Sequence, residues 1–319
     1  MTSTSSRGKL CHETRRGNQA EVARNASPTL QNDFSSEKGV VWRGGAGIWM
    51  LLFLLMTASP IFGQEGGSEP TPMEVLGIKA PNPVAYLHSV ALKNTLDFGA
   101  PNGSAYFLNI VPIIPYTVDG WDVVNRPIIP IIDVQGFTTG RPDIPVGVPG
   151  DGAFGLGDIN YTAYLSPSED KTVDWGIGPS ITFPSATDDQ LGSGKWSAGP
   201  AAAVFHMRKP WAFALLGRQL WSFAGDSDRV DVDQLLIQPI VLYSLGSGWA
   251  LSTDMIITAN WDADSHNRWT VPLGGGIAKF LMIGNQPMMA RLEAYYNIER
   301  PVGAPNWSLS FLVRFFFPR

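Results

Sequence analysis

Seven charged residues draw attention first: Lys93, Arg126, Asp158, Asp254, Arg291, Glu293 and Arg314. Each lies on the polar row of a stretch that otherwise alternates with apolar residues. Their signs nearly balance, which predicts a paired network facing an enclosed space rather than a strongly charge-selective pore. The four histidines, His12, His88, His206 and His266, are far apart. His206 has no serine two residues away, so the Ser and His pairing that a lipase needs is not evident. The segment "AGDSDRVDVD" collects Asp226, Asp228, Asp231 and Asp233. Clustered carboxylates suit a hard cation, which makes Asp226, Asp228 and Asp231 a Ca²⁺ candidate. The glycine and distal glutamate of an EF-hand loop are missing, and a solvated acidic loop is the alternative. "DDQLGSGKW" lacks the spacing of a phosphate-binding loop, since Trp196 follows Lys195, and reads as a hairpin tip. Cys11 is the only cysteine, so neither an intrachain disulfide nor a cysteine metal site can form. No enzyme, cofactor or resident metal is expected.

The elements that must position these residues are strands. The closing segment "WSLSFLVRFFFPR" places Trp307, Leu309, Phe311, Val313, Phe315 and Phe317 on one face. Ser308, Ser310, Leu312, Arg314 and Phe316 fall on the other, as a period of two requires. The same alternation recurs in "SVALKNTLDF", "AYFLNIVPIIPY", "WDVVNRPIIPIID", "GDINYTAYLS", "DWGIGPSITF", "VDQLLIQPIVLY", "WALSTDMIITANW" and "MMARLEAYYNI". With "KWSAGPAAAVFHM", "PWAFALLGRQLWSF" and "WTVPLGGGIAKF" the count reaches twelve. Pro112, Pro115, Pro127, Pro130, Pro179, Pro200, Pro239 and Pro272 interrupt these runs. Each forfeits a ladder donor, so bulges or local breaks are expected there.

Composition suits such a sheet. Charged residues are only 16 % of the 319, against about 25 % in typical soluble domains. Glycine (34), proline (25) and tryptophan (11) are plentiful. Net charge is −5 with no basic block beyond the extreme N-terminus, which argues against nucleic acid as a partner.

Two features favour a bilayer over a dry core as the surroundings of the apolar rows. Tryptophan and tyrosine gather at strand ends, as in the aromatic girdles of transmembrane barrels. Short connections ("VDG", "RKP", "GSG") follow even strands and longer ones follow odd strands, the pattern of periplasmic turns and extracellular loops. The expected fold is therefore all-β: an antiparallel transmembrane β-barrel of about twelve strands over 86–319. Leu309, Phe311, Val313 and Phe315 are assigned to lipid, and the seven charged residues to the lumen. A midplane arginine facing lipid would cost about 2–4 kcal/mol.

Residues 1–45 are polar and aperiodic, the composition of a disordered extension or of a stretch upstream of the true start. The apolar run Ile48–Met56 is too short to span comfortably and fits a signal peptide over 46–63, a membrane anchor being the alternative. Residues 64–85 would form a periplasmic segment or plug.

Several motifs in order resemble a known family: "NPVAYLHSVALKN", "FGLGDINYTAYLSP", "WGIGPSITFPSATDDQLGSGKWSAGPAAAVF", "LWSFAGDSDRVDVDQLLIQPIVLY", "WTVPLGGG", "GNQPM" and "FFFPR". It is the group of bacterial outer-membrane β-barrel proteins labelled transporters or "neuromedin U", related to the MetA-type proteins of phenol degradation. The resemblance covers about Pro81 to Arg319. It implies a porin-like barrel in a Gram-negative-type outer membrane, with transport as its function and no catalytic residue to carry over. Outer-membrane lipid, the barrel-assembly machinery and a small solute would be its partners. Two readings stay open: a passive channel for small, aromatic or apolar solutes, and a structural or recognition barrel whose lumen is filled.

Overall fold

The computed structural model describes residues 82–144, 146–168 and 173–317. The expected extension (1–45), the signal peptide (46–63) and most of the 64–85 segment lie outside the described residues. The first half contains β1 (His88–Ala100), β2 (Gly103–Val118), β3 (Trp121–Gly136), β4 (Ala153–Leu156), β5 (Asn160–Pro167) and β6 (Val173–Thr182). The second contains β7 (Lys195–Arg208), β8 (Trp211–Gly225), β9 (Asp233–Gly246), β10 (Trp249–Asp254) and β11 (Ile257–Asn260). It ends with β12 (Trp269–Ile283), β13 (Gln286–Glu299) and β14 (Trp307–Phe317).

All pairings are antiparallel, and the sheet closes on itself. β1 pairs with β14 from His88 opposite Phe317 to Phe98 opposite Trp307. β4 and β5 both pair with β3, and β10 and β11 both lie between β9 and β12. Each couple is one wall strand with a break, so fourteen segments build a twelve-stranded barrel. Two tight connections carry the backbone signature of two-residue hairpin turns. Asp119 (φ 49) with Gly120 (φ 81), and Ser247 (φ 49) with Gly248 (φ 76), adopt the positive angles that a type I′ turn demands.

The prolines act as the loss of an N–H requires. The β2–β3 ladder skips from Ile110–Ile129 to Ile114–Asn125, leaving out Pro112 and Pro127. It skips again beside Pro179 between β5 and β6, and beside Pro200 between β7 and β8. Pro115 is accommodated with its β2–β3 register intact, whereas Pro239 keeps its register with β8 but lies beside the β10–β11 break on its other side, between the pairs Ile237–Ile257 and Ile240–Asp254.

Alternation sorts the two faces. Inside, Ala91, Val124, Tyr164, Phe205, Leu216 and Phe316 belong to one buried cluster. On the outer rows Ile177, Leu215 and Leu273 are 55 %, 51 % and 59 % exposed. Such openness is costly in water but not against acyl chains. Aromatic pairs mark both rims of this surface: Trp121 with Trp175 and Trp211 with Tyr243 at the short-turn end, Trp261 with Trp269 and Tyr296 with Trp307 at the long-loop end. These are the two girdles of an outer-membrane barrel.

The outer rows are not uniformly plain. Lys279 lies on one, and its ammonium reaches back to donate to the Ser247 carbonyl at 2.9 Å, over the Trp249 ring. It snorkels toward the short-turn rim, as a long basic side chain can. Asn94 donates to the Phe311 carbonyl and accepts from the Tyr106 hydroxyl; Asn125 repeats this with the Ile114 carbonyl and Tyr161. In the row Leu309, Phe311, Val313, Phe315, which faces away from Arg314, Phe311 is 2 % and Val313 5 % exposed. That patch is packed rather than open, unlike the wall at Ile177.

Ile177→Arg tests the outward assignment. It should block assembly in the bilayer, because it puts a guanidinium at a cost of about 2–4 kcal/mol into lipid. Ile177→Val should assemble normally. The readout is the heat-modifiable gel shift of the folded barrel after refolding into liposomes.

Candidate functional site

Two features of the chain narrow the lumen from the long-loop end. The first is the connection between β3 and β4, which folds inward. Arg141 and Ile144 exchange backbone hydrogen bonds at 3.2 and 3.1 Å, making a tight tip that presents Pro142 and Asp143. Ile144 anchors it by packing against Ala105, Phe107, Ile132, Val134 and Leu191. Arg141 clamps it, its Nε 3.1 Å from the Asp97 Oδ2 and its guanidinium over the Phe107 ring. The other Asp97 oxygen accepts from the Ser308 hydroxyl at 2.6 Å. The second is the break between β10 and β11, where Ile256 leaves the wall to line two of the interior cavities.

Below the tip sits the charge network. Asp254, at the end of β10, is its hub. Its Oδ2 meets the Lys93 ammonium at 3.1 Å and the Arg291 guanidinium, while its Oδ1 accepts from Gln238 at 2.5 Å. Arg291 also reaches Glu293 at 3.3 Å, and Glu293 accepts from the Ser252 hydroxyl at 2.8 Å. The strand break frees the Asp254 N–H, which donates to the Tyr295 hydroxyl at 2.7 Å. Charges this buried persist only when paired and hydrogen-bonded throughout.

Arg126 and Arg218 stand apart from that network. Arg218 donates from Nη1 to Asn160 Oδ1, and its buried Nε finds no acceptor. Among the described residues Arg126 enters no salt bridge. Both line a cavity of about 60 Å³ together with Lys93, Asn109, Tyr164 and Asp143. A second cavity of similar size adds Arg291, Arg314 and Pro83 on the short-turn side. A third, about 20 Å³, continues to Asp158, Asn160 and Ser193 at the long-loop end. Consecutive cavities share lining residues, so they adjoin one another along the barrel interior.

At the short-turn end, Val84 is buried inside the wall and Asn82 donates to Asp174 at 2.5 Å. Gly176 leaves the room this needs, since a Cβ there would lie 2.8 Å from Val84 Cγ1.

The seven charges singled out in the sequence thus have different places. Lys93, Asp254, Arg291 and Glu293 are joined in one network, and Arg126 and Arg314 line adjoining cavities. Asp158 is a loop anchor at the rim. It accepts from the Ala186 N–H, the Ser193 N–H and the Ser193 hydroxyl, fixing the "DDQLGSGKW" hairpin, whose tip is a 3₁₀ turn at Asp189–Leu191. Asp226, Asp228 and Asp231 do not converge: Asp231 pairs with Lys195 at 3.1 Å, and Asp226 accepts from the Asp228 N–H. Among the described residues no three potential ligands could hold a metal. In the neighbouring loop, partial burial and the Asp233 and Asp231 charges hold the Asp262 carboxyl above its usual range. Arg218 was readable as the polar exception in the inward row Ala212, Ala214, Leu216, Leu220. Arg141 and Asp143 carry no such signal, because a loop path has no period.

No family model and no curated protein matches the chain. Among solved structures, an outer membrane channel from Pseudomonas putida F1 is similar at 16 % identity and a TM-score of 0.51, over 72 % of this chain and 94 % of that one. The NanC porin aligns at 12 % identity and 0.43, over 73 % and 100 %. The toluene transporter TodX of Pseudomonas putida aligns at 9 % and 0.36, over 81 % and 99 %. The first similarity speaks to the fold alone, and the other two add no argument. Fold, girdles and outward apolar rows together make this chain an outer-membrane β-barrel.

Removing the hub charge should be costly. Asp254→Ala leaves Lys93 and Arg291 buried without their shared carboxylate, so the barrel should lose about 3–5 kcal/mol. Urea unfolding of the refolded protein, followed by tryptophan fluorescence, measures it. A loss below about 1 kcal/mol, the range of an exposed pair, would show that the network is solvated.

Proposed function

We propose that the protein is a narrow passive channel of the outer membrane for small solutes that have both an apolar and a polar part. The observation that carries this reading is the row of adjoining cavities from Ser193 to Pro83. Their walls join charged groups to apolar ones, with Val111, Ile128, Leu216 and Leu236 beside Lys93, Arg126 and Arg218. Such a mixed wall suits an amphiphilic solute better than a bulk electrolyte. The resemblance to the phenol-degradation group of barrels supports small aromatic or apolar solutes and makes membership of that group part of the proposal.

The second reading, a filled structural or recognition barrel, has its own observation. The tip at Pro142 and Asp143, with Val84 from the opposite end, leaves interior spaces of only about 20–60 Å³. Planar-bilayer recording separates the two. The channel reading expects small, discrete conductance steps in the full chain. It also expects them to rise when Arg141→Gly releases the tip from Asp97. Flat traces from the full chain, the Arg141→Gly variant and a variant lacking 64–85 would establish the filled barrel.

A further inference from the structure

The geometry points to a binding site for a small monocarboxylate in the mid-lumen, held by Arg126 and Arg218. This deepens the channel reading and relies on it only for how the solute arrives.

The cavity below the loop tip has four charged residues in its wall: Lys93, Arg126, Arg218 and Asp143. The Lys93 charge is answered by Asp254 at 3.1 Å. That leaves two guanidiniums facing one carboxylate, an excess of a single positive charge. The hydrogen-bond inventory agrees. Arg218 Nε is buried without an acceptor, and so is Asp143 Oδ2 without a donor. Arg126 makes no salt bridge among the described residues. Asn109, Thr162, Tyr164 and Gln238 complete the polar side of the same wall. The buried Arg218 Nε without an acceptor is costly, and a ligand oxygen would relieve it, while the unpartnered Asn109 Oδ1 and Asp143 Oδ2 would not be served by that oxygen.

The chemistry narrows the ligand. A planar guanidinium fork matches a carboxylate with two parallel hydrogen bonds. One excess positive charge suits a monoanion better than a dianion. The rest of the wall is apolar, with Val111, Ile128, Leu216, Leu236 and Ile256, so the body behind the carboxylate should be short and hydrocarbon. The adjoining cavity shares Lys93, Val111, Arg126, Leu216 and Gln238 and gives that body room.

Asp143 takes on a role in this picture. It is the chain's own carboxylate at the arginines, carried on the tip that Arg141 and Ile144 fix. Among the described residues it shares the cavity with Arg126 and Arg218 without forming an ion pair with either, so its charge opposes an arriving monoanion at the same two cations.

The test uses the full-length protein in detergent, with butanoate and its neutral counterpart butanamide as probes and ligand-observed saturation-transfer NMR as the readout. Butanoate should bind, with butanamide at least roughly tenfold weaker, the scale of a charge-assisted hydrogen bond. Arg126→Gln should weaken butanoate about tenfold, and Asp143→Asn should strengthen it several-fold by removing the competitor. Equal binding of the two probes, or an affinity that Arg126→Gln leaves unchanged, overturns the site. If Arg126→Gln does not assemble, Asp143→Asn decides, because unchanged or weaker binding there overturns it as well. The measurement needs no ion flow. A barrel that binds butanoate but never conducts would sink the channel reading alone. One that conducts without preferring butanoate would sink the site alone.

Discussion

Closure of the sheet is the constraint on which everything else depends. Lipid offers no water to an unpaired strand edge, so the first and last strands must meet, and β1 and β14 pair along their whole common length. Once that seam and the register are set, every side chain in the wall is assigned inward or outward by parity. The two broken strands show how far the constraint bends. Between β10 and β11 the freed groups find side-chain partners, with the Asp254 N–H donating to Tyr295 and Thr253 donating to the Gly274 carbonyl at 2.9 Å. Between β4 and β5, the Gly157 N–H donates to the Pro130 carbonyl and the Ile159 N–H to the Ser185 hydroxyl, both at 2.9 Å. Irregular backbone at membrane depth survives only where protein groups replace the missing ladder.

Parity also determines what the interior must be. The outward rows are kept apolar by the bilayer, so polar side chains at membrane depth are driven inward, where they must satisfy one another. Asp254 is the clearest result: a single carboxylate shared by Lys93, Arg291 and Gln238. Three of the polar groups on the outer rows are answered by neighbours. Lys279 reaches a turn carbonyl, and Asn94 and Asn125 each tie a neighbouring carbonyl to a tyrosine. This explains why the outer wall tolerates them without a water shell.

Much of this was legible in the sequence because a strand prints its two faces at a period of two. The twelve strands follow from that period and the short turns from the spacing between them. The proline effect was legible in kind but not in place, since Pro115 keeps its register with β3 while Pro112 does not. What could not be read is what depends on non-periodic chain. The entry of Arg141 and Asp143 into the lumen is set by packing of Ile144 against residues from β2 and β3 and the 3₁₀ turn, contacts distant in sequence. Asp158 shares the alternation of its strand yet serves as a loop anchor, because it sits in a break where loop N–H groups converge on its carboxylate. Nor does parity foretell that Phe311 is covered while Ile177 is open.

The loop tip and the arginines then explain one another. A twelve-stranded barrel encloses more space than its inward side chains fill, and inward arginines without counter-charges would repel one another across it. A loop carrying a carboxylate offsets both costs at once, filling volume and supplying charge. Its hold is an ion pair, Arg141 with Asp97, whose side chains are 12 % and 0 % exposed. Separating such a pair leaves charges stranded in low dielectric unless water or another ion enters with the movement. Arg141 and Asp97 therefore keep the tip inside the barrel, and with it Asp143 beside Arg126 and Arg218.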